Sequence, residues 1–184
     1  QLIVGADGDL VHIAENIQLG EGDIGGALDL HAVTGGHQVD GTHPAGPSGL
    51  GAVFRAGIPE LLDELRAKGI QCAVFSNKAD PLCGKIIAHY FGTGRFDAVR
   101  GSRPGVPTKP DPAGLYALMD EIGADRSSTL FVGDSDVDIL TGHNAGLPAM
   151  GALWGFRGRA ELTAAGADAL AAVPEDIFTY IQKS

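Results

Sequence analysis

The chain has 184 residues, of which 44% are hydrophobic and 20% charged, a composition typical of one soluble globular domain. The formal net charge is −10 and no basic stripe is visible, so the cationic surface that nucleic acid or an anionic membrane needs is missing. No run of 18 apolar residues occurs, so we expect no transmembrane helix, and the two cysteines form no disulfide framework or CxxC pair. We therefore expect a cytoplasmic protein that acts on a small molecule as a monomer or homodimer. Because Gln1 and not Met stands first, we also expect a fragment or a processed form.

The N-terminal part of the chain is rich in glycine. A short apolar run, residues 2–6, predicts a first strand that ends at Asp7-Gly8-Asp9. In residues 12–54 glycines interrupt every candidate helix, each at a cost of ~1 kcal/mol relative to alanine, so we expect loops or disorder there. The histidines of this region match no compact ligand spacing, and we interpret them as loop residues and not as a metal site.

The rest of the chain alternates between helical and strand patterns that are joined by short turns. The predicted elements, in order, are helix 59–68, strand 70–75, helix 80–91, strand 96–99, helix 112–122, strand 129–132, helix 136–144, strands 147–153 and 167–173, and helix 174–182. Asp80 and Asp111 each precede a proline and are interpreted as helix caps, and Gly123 as a left-handed stop. The alternation predicts an α/β fold: a Rossmann-like, three-layer, doubly wound parallel sheet with helices on both faces.

Carboxylates follow two of the predicted strands. Asp7 and Asp9 come after the first strand, and Asp134 comes directly after strand 129–132, with Asp138 four residues further on. In a doubly wound sheet the carboxyl ends of the strands meet at one edge, where ligands bind. Several carboxylates at one edge repel one another unless a cation lies between them, and oxygen ligands of this kind favour Mg²⁺. The pattern predicts a magnesium site.

A second set of residues is suited to binding phosphate. Ser76 follows strand 70–75, and its hydroxyl together with the amide of Asn77 is able to hold phosphate oxygens. Lys109 stands just before a Pro-Asp-Pro helix start. Each feature alone is common, but together with the carboxylates in β-α order they indicate phosphoryl transfer.

Four segments in this order resemble the haloacid-dehalogenase-like hydrolases, and within them the phosphoglycolate-phosphatase-like branch. They are Gly57-Ile-Pro-Glu-Leu-Leu, Ala73-Val-Phe-Ser-Asn-Lys, Thr108-Lys-Pro-Asp-Pro and Phe131-Val-Gly-Asp-Ser-Asp-Val-Asp. Trp154-Gly-Phe-Arg is similar to a later stretch of that branch, and it is either local packing or a loop that helps to close the site. The resemblance covers roughly residues 55–184.

The resemblance implies a Mg²⁺-dependent phosphatase of small organic phosphomonoesters, phosphoglycolate first, that works through an aspartyl-phosphate. One aspartate is then the nucleophile and a second the general acid and base. Ser76, Asn77 and Lys109 hold the phosphate, and Asp134 binds Mg²⁺. Asp138 either supports these residues or is a further metal contact. A metal and a lysine must cancel charge before a carboxylate attacks a phosphate dianion.

The first motif fits the family in two ways. In one alignment Asp7 is the nucleophile and Asp9 the acid and base, and both also contact the metal. In the other, Asp7-Gly8-Asp9-Leu10-Val11 matches the family's Asp-Gly-Thr-Leu-Val, so Gly5 stands where the nucleophile belongs. The flanking residues favour the second alignment. The need for paired carboxylates beside an otherwise intact site favours the first, which we prefer.

The cap of this branch is a helical insert after the first strand that selects the substrate. Four helices of ordinary length with their loops need about 59 residues, whereas residues 12–54 provide 43. We expect residues 1–11 and 55–184 to form the core and residues 12–54 to be a truncated or irregular cap region, or a stretch that is not the family's sequence.

Other functions stay open at this point. A protein without its nucleophile would bind phosphate and Mg²⁺ without turnover. A phosphosugar mutase of the same fold would isomerise a sugar phosphate and release little phosphate. A receiver-like domain phosphorylated on Asp7 shares the acidic edge and a lysine, but not the hydrolase-like segments.

Overall fold

The computed structural model describes residues 2–5 and 57–183, and the predicted cap region, residues 12–54, lies outside them. Within these residues six parallel strands form one sheet in the order β3-β2-β1-β4-β5-β6. The strands are β1 (Leu2–Gly5), β2 (Cys72–Ala79), β3 (Ala98–Ser102), β4 (Leu130–Gly133), β5 (Ala149–Ala152) and β6 (Ala169–Ala171). The helices are α1 (Ile58–Ala67), α2 (Asp80–Phe91), α3 (Ala113–Ile122), α4 (Asp136–Asn144), α5 (Arg159–Ala164) and α6 (Glu175–Ile181).

β2, β4 and β5 are buried on both faces, as expected for a parallel sheet between helices. Leu130 and Val132 of β4 pack with α1 and α6 on one face, whereas Phe131, between them, packs with α3 on the other. Because side chains alternate across a strand, each strand supplies both cores. α2 packs beside α1, while α4 and α5 share the face of α3. The predicted three-layer, doubly wound sheet is therefore confirmed.

The elements follow the sequence pattern closely, with several differences. β2 continues past Phe75 to Ala79, with an irregular register against β3, so Ser76 belongs to the strand and does not follow it. Asp80 is the first residue of α2, and Ala79 stands at the cap position. The Asp80 carboxylate accepts a hydrogen bond from the amide of Gly101 in β3 at 2.8 Å. The six-residue helix α5 was not predicted.

Gly123 ends α3 with φ of 65°, as expected for a left-handed stop. Pro112, and not Asp111 as predicted, stands at the N-cap of this helix, while the Asp111 carboxylate accepts a hydrogen bond from the amide of Ala113 at 2.9 Å. Among the described residues, no helix combines the length and the apolar character needed to cross a bilayer.

Candidate active site

The sheet order places the predicted residues near one edge. The order reverses at β1, which pairs with β2 on one side and with β4 on the other. Such a reversal opens a crevice beyond the carboxyl ends of the central strands. Ser76 and Asn77 lie in the last part of β2, and Asp134 comes directly after β4. Lys109 lies in the loop between β3 and α3.

Lys109 and Asp138 form a buried ion pair. The Nζ of Lys109 lies 2.6 Å from Oδ1 of Asp138, and neither side chain is exposed to solvent. The same ammonium donates to the backbone carbonyl of Phe75 at 3.4 Å. Charges this deeply buried occur when they are paired and hydrogen-bonded. The Asp138 carboxylate and the Phe75 carbonyl therefore hold the ammonium beside β2.

Asp138 also organises the turn between β4 and α4. Its Oδ2 accepts hydrogen bonds from the amide of Asp134 at 3.1 Å, the amide of Ser135 at 3.2 Å and the hydroxyl of Ser135 at 2.8 Å. Ser135 in turn accepts from the amide of Asp138, which completes a capping box. Gly133 leaves room for this contact, since a Cβ there would lie 2.1 Å from the Cβ of Asp138.

Asn77 ties the loop of Lys109 to β2. Its Oδ1 accepts from the amide of Lys109 at 2.8 Å, and its Nδ2 donates to the carbonyl of Lys109 at 3.3 Å. From the other side, Asn144 at the end of α4 donates to the carbonyl of Pro110 at 2.9 Å. Ser76 is 1% exposed, and its hydroxyl accepts from the amide of Lys78 at 3.1 Å. The Asn77 side chain thus positions the lysine loop.

Asp134 is held from a loop that follows β5. Its Oδ2 accepts a hydrogen bond from the amide of Phe156 at 2.7 Å, and its carbonyl accepts from the amide of Arg157 at 3.1 Å. The side chain is nearly buried, with the residue 5% exposed. Sequence reasoning identified this loop by its Trp-Gly-Phe-Arg segment but did not predict what it contacts.

A cleft of about 290 Å³ opens next to Ser76 and Asn77. Its far wall contains Arg100, which pairs with Glu121, and Arg103, which lies 3.1 Å from Oδ2 of Asp80. Burial raises the pKa of Asp80, but hydrogen bonds from a backbone amide and from the Arg103 guanidinium outweigh it, so that pKa lies below its usual value. Arg100, Arg103 and Glu121 line the cleft together with apolar residues such as Phe75 and Leu118.

Carboxylate oxygens are the ligands that a Mg²⁺ site at this crevice needs. No cluster of three or more His, Cys, Asp or Glu side chains suited to a metal occurs among residues 57–183. Asp134, a nearly buried carboxylate at the crevice, is a suitable ligand for a hard cation. A complete site needs further oxygen ligands, and the predicted ones, Asp7 and Asp9, lie outside the described residues. Gly5 is the last residue of β1, level with Phe75 in β2.

Comparison with known proteins agrees with this geometry. The family described as haloacid dehalogenase-like hydrolase matches residues 15–146. The chain is 36% identical over 99 residues to a phosphoglycolate phosphatase of Aquifex aeolicus, covering 54% of this chain and 46% of that protein. It is also 36% identical over 109 residues to a phosphoglycolate phosphatase of Rhodospirillum rubrum, covering 58% of this chain and 44% of that protein.

A solved structure shows the same likeness. A predicted phosphoglycolate phosphatase from Haemophilus somnus matches with a TM-score of 0.63 at 28% identity, over 68% of this chain and 56% of that one. The chain spans about half the length of the curated relatives that it matches.

Proposed function

The chain belongs to the haloacid dehalogenase-like hydrolase family, and from this premise we propose that it is a Mg²⁺-dependent phosphatase of small organic phosphomonoesters. The curated relatives that carry the name phosphoglycolate phosphatase make phosphoglycolate the first substrate to test. A family match by itself supports a fold, and the chemistry must be argued from the residues of the site.

The buried ammonium of Lys109 is the observation that carries the proposal. Lys109 is 4% exposed, its Nζ lies 2.6 Å from Asp138, and its backbone amide donates to Asn77. Burial of a charge costs free energy, so we infer that this ammonium is retained because it binds phosphate. It lies beside Ser76, whose hydroxyl supplies a second phosphate-binding group. A fixed positive charge next to a hydroxyl stabilises the charge that develops on a transferring phosphoryl group.

The roles follow from this arrangement. Ser76, the amide of Asn77 and Lys109 bind the phosphate oxygens. Asp7 attacks phosphorus while the bond to the leaving oxygen breaks, and Asp9 gives that oxygen a proton. Asp9 then takes a proton from water, which attacks the aspartyl-phosphate and releases inorganic phosphate and free Asp7. These steps conserve atoms and charge and use two carboxylates in turn.

Asp134, with Asp7 and Asp9, would hold Mg²⁺. When bound, the ion supplies positive charge that lets a carboxylate approach a phosphate dianion. Asp138 has Lys109 on one oxygen and the β4–α4 turn on the other, which favours a positioning role for it over direct metal contact. The cleft of about 290 Å³ beside Ser76 gives room for a small leaving group.

Phosphate release tests the proposal. Wild-type protein is assayed with phosphoglycolate and with an aryl phosphate, each with Mg²⁺ and with a chelator, beside Asp7→Asn and Asp9→Asn. Asp120→Asn, an exposed carboxylate on α3, is the matched control. We expect Mg²⁺-dependent turnover that Asp7→Asn abolishes, Asp9→Asn strongly reduces and Asp120→Asn leaves unchanged.

Two other outcomes would support a different function. If folded wild-type protein releases no phosphate and Gly5→Asp gains turnover, then Gly5 occupies the nucleophile position and the chain is a binding protein. If a sugar phosphate is isomerised with little phosphate released, the reaction is that of a mutase.

A further inference from the structure

The loop Trp154–Arg157 contacts Asp134 through two main-chain amides. The amide of Phe156 donates to Oδ2 of Asp134 at 2.7 Å, and the amide of Arg157 donates to its carbonyl at 3.1 Å. One bond fixes the carboxylate and the other fixes the backbone that carries it. The loop therefore restrains both parts of the residue that we assign to the metal.

Gly155 makes this contact possible for a steric reason. A Cβ at this position would lie 2.0 Å from the Cβ of Asp134 and 2.3 Å from its Oδ2, closer than real Cβ atoms come to other atoms. The glycine is not required by a left-handed backbone, because its φ lies outside that range. Its role is to let the loop lie directly against the Asp134 side chain.

The loop is itself anchored at both ends. Gly155 donates to the carbonyl of Ala152 in β5 at 3.3 Å. At the other end the Arg157 guanidinium lies over the Phe156 ring, 4.6 Å from its centroid, and its Nε is 3.2 Å from the Glu161 carboxylate on α5. The pair with Glu161 is half exposed and contributes little, so the backbone hydrogen bonds to β5 and to Asp134 do most to position the Phe156 amide.

We propose that Gly155 and the amide of Phe156 are positioning groups that hold the Asp134 carboxylate in the conformation that binds Mg²⁺. The inference rests on the metal role of Asp134 in the proposed function. A ligand whose orientation is fixed in advance binds more tightly, and loss of such support lowers metal affinity about 10–100-fold in other metal sites.

Thermodynamic linkage gives a second consequence. If the closed loop raises the affinity of Asp134 for the metal by some factor, the bound metal must make opening of the loop rarer by the same factor. Amide hydrogen exchange measures such opening. The wild-type protein alone is therefore able to test the idea.

Two glycine variants form the first experiment. Mn²⁺ binding is measured from the loss of the free-ion paramagnetic resonance signal, with Mg²⁺ as competitor. Gly158→Ala is the matched control, because nothing lies within 4 Å of its added carbon and its φ of −84° suits alanine. We expect Gly155→Ala to raise the dissociation constants of both ions about 10–100-fold and Gly158→Ala to match wild type. Equal constants in a folded Gly155→Ala protein overturn the inference.

The second experiment protects the conclusion if Gly155→Ala does not fold. Hydrogen exchange is carried out on the whole wild-type protein with and without saturating Mg²⁺, and is read out on the proteolytic peptide that contains Trp154–Arg157. We expect about 10–100-fold slower exchange at the Phe156 amide with Mg²⁺, and an unchanged rate contradicts the inference. Asp134→Asn separates the two proposals: if it binds Mn²⁺ as well as wild type does, the assigned metal role fails, whichever way the loop behaves.

Discussion

Replacement of Asp138 by asparagine should destabilise the protein far more than a single isosteric change suggests. The carboxylate accepts on both oxygens, from Lys109 on one and from three donors of Asp134 and Ser135 on the other. An amide has one accepting oxygen, so in Asp138→Asn its NH₂ group must face either the ammonium or the donors of the turn. Both arrangements place donor against donor in a buried space.

The magnitude follows from the burial of the pair. Removal of one partner of a buried ion pair typically costs about 3–5 kcal/mol, because an uncompensated charge stays behind. The Phe75 carbonyl, 3.4 Å from Nζ, is a poor substitute for a carboxylate. Lys109→Met should cost less, about 1–3 kcal/mol, since the Asp138 carboxylate then keeps the three donors of the turn. We expect Asp138→Asn to be the more destabilising of the two.

Urea unfolding measures both free energies, provided that the slope of the transition is the same in all variants. Asp136→Asn is the matched control, because it makes the same substitution in the same first turn of α4 at a residue that is not buried. It should change the free energy of unfolding by less than about 1 kcal/mol. A loss of under about 1 kcal/mol in Asp138→Asn, or a larger loss in Lys109→Met, would refute the reasoning.

Three further results are expected. Gly133→Ala should lower the free energy of unfolding by about 1–3 kcal/mol, because the new carbon would lie 2.1 Å from the Cβ of Asp138. Gly84→Ala is its control: nothing lies within 4 Å of the new carbon, so the free energy of unfolding should stay unchanged or rise by up to about 1 kcal/mol. Burial raises the pKa of Cys72 from 9.0 to about 11, and the residue is 3% exposed. Near pH 8 iodoacetamide should therefore alkylate this thiol at least about 100-fold more slowly in folded than in unfolded protein, as mass spectrometry would show. The lowered pKa of Asp80 contributes stability that is present above the ordinary aspartate pKa and is lost as the pH falls through the lowered value. Asp80→Asn should therefore flatten the fall in urea midpoint below about pH 4, and an unchanged slope would contradict this.

The elements of the fold could be predicted because their apolar residues repeat at the spacing of a helix or a strand. Leu61, Leu62 and Leu65 line the buried side of α1, and the apolar run 129–132 became the four-residue strand β4. α5 escaped prediction because it has six residues and buries only Leu162, too little for a periodic signal. Tertiary pairing with β3 extends β2 to Ala79, beyond the apolar run that marked it.

The site could be predicted only where side chains carry the chemistry. Hydrogen bonds connect four of the predicted residues, Asn77, Lys109, Asp138 and Asp134, and Ser76 precedes Asn77 in β2. Their roles toward phosphate and metal stay predictions. The support of Asp134 by the Phe156 amide left no such signal, because every residue except proline has a backbone amide. Gly155 was the one sequence feature that pointed to this contact, but a sequence does not distinguish a glycine needed for close packing from one needed for a turn. The roles of Asp7 and Asp9 stay predictions.

The sheet order has a consequence for how the molecule holds together. Among the described strands β2 and β4 do not pair with each other, so the backbone pairing within the sheet between the half β3-β2 and the half β4-β5-β6 runs through the four residues of β1. Leu2–Gly5 leave the ribosome before either neighbour exists, and their second partner is complete only at Gly133. A change in β1 therefore acts on the middle of the sheet.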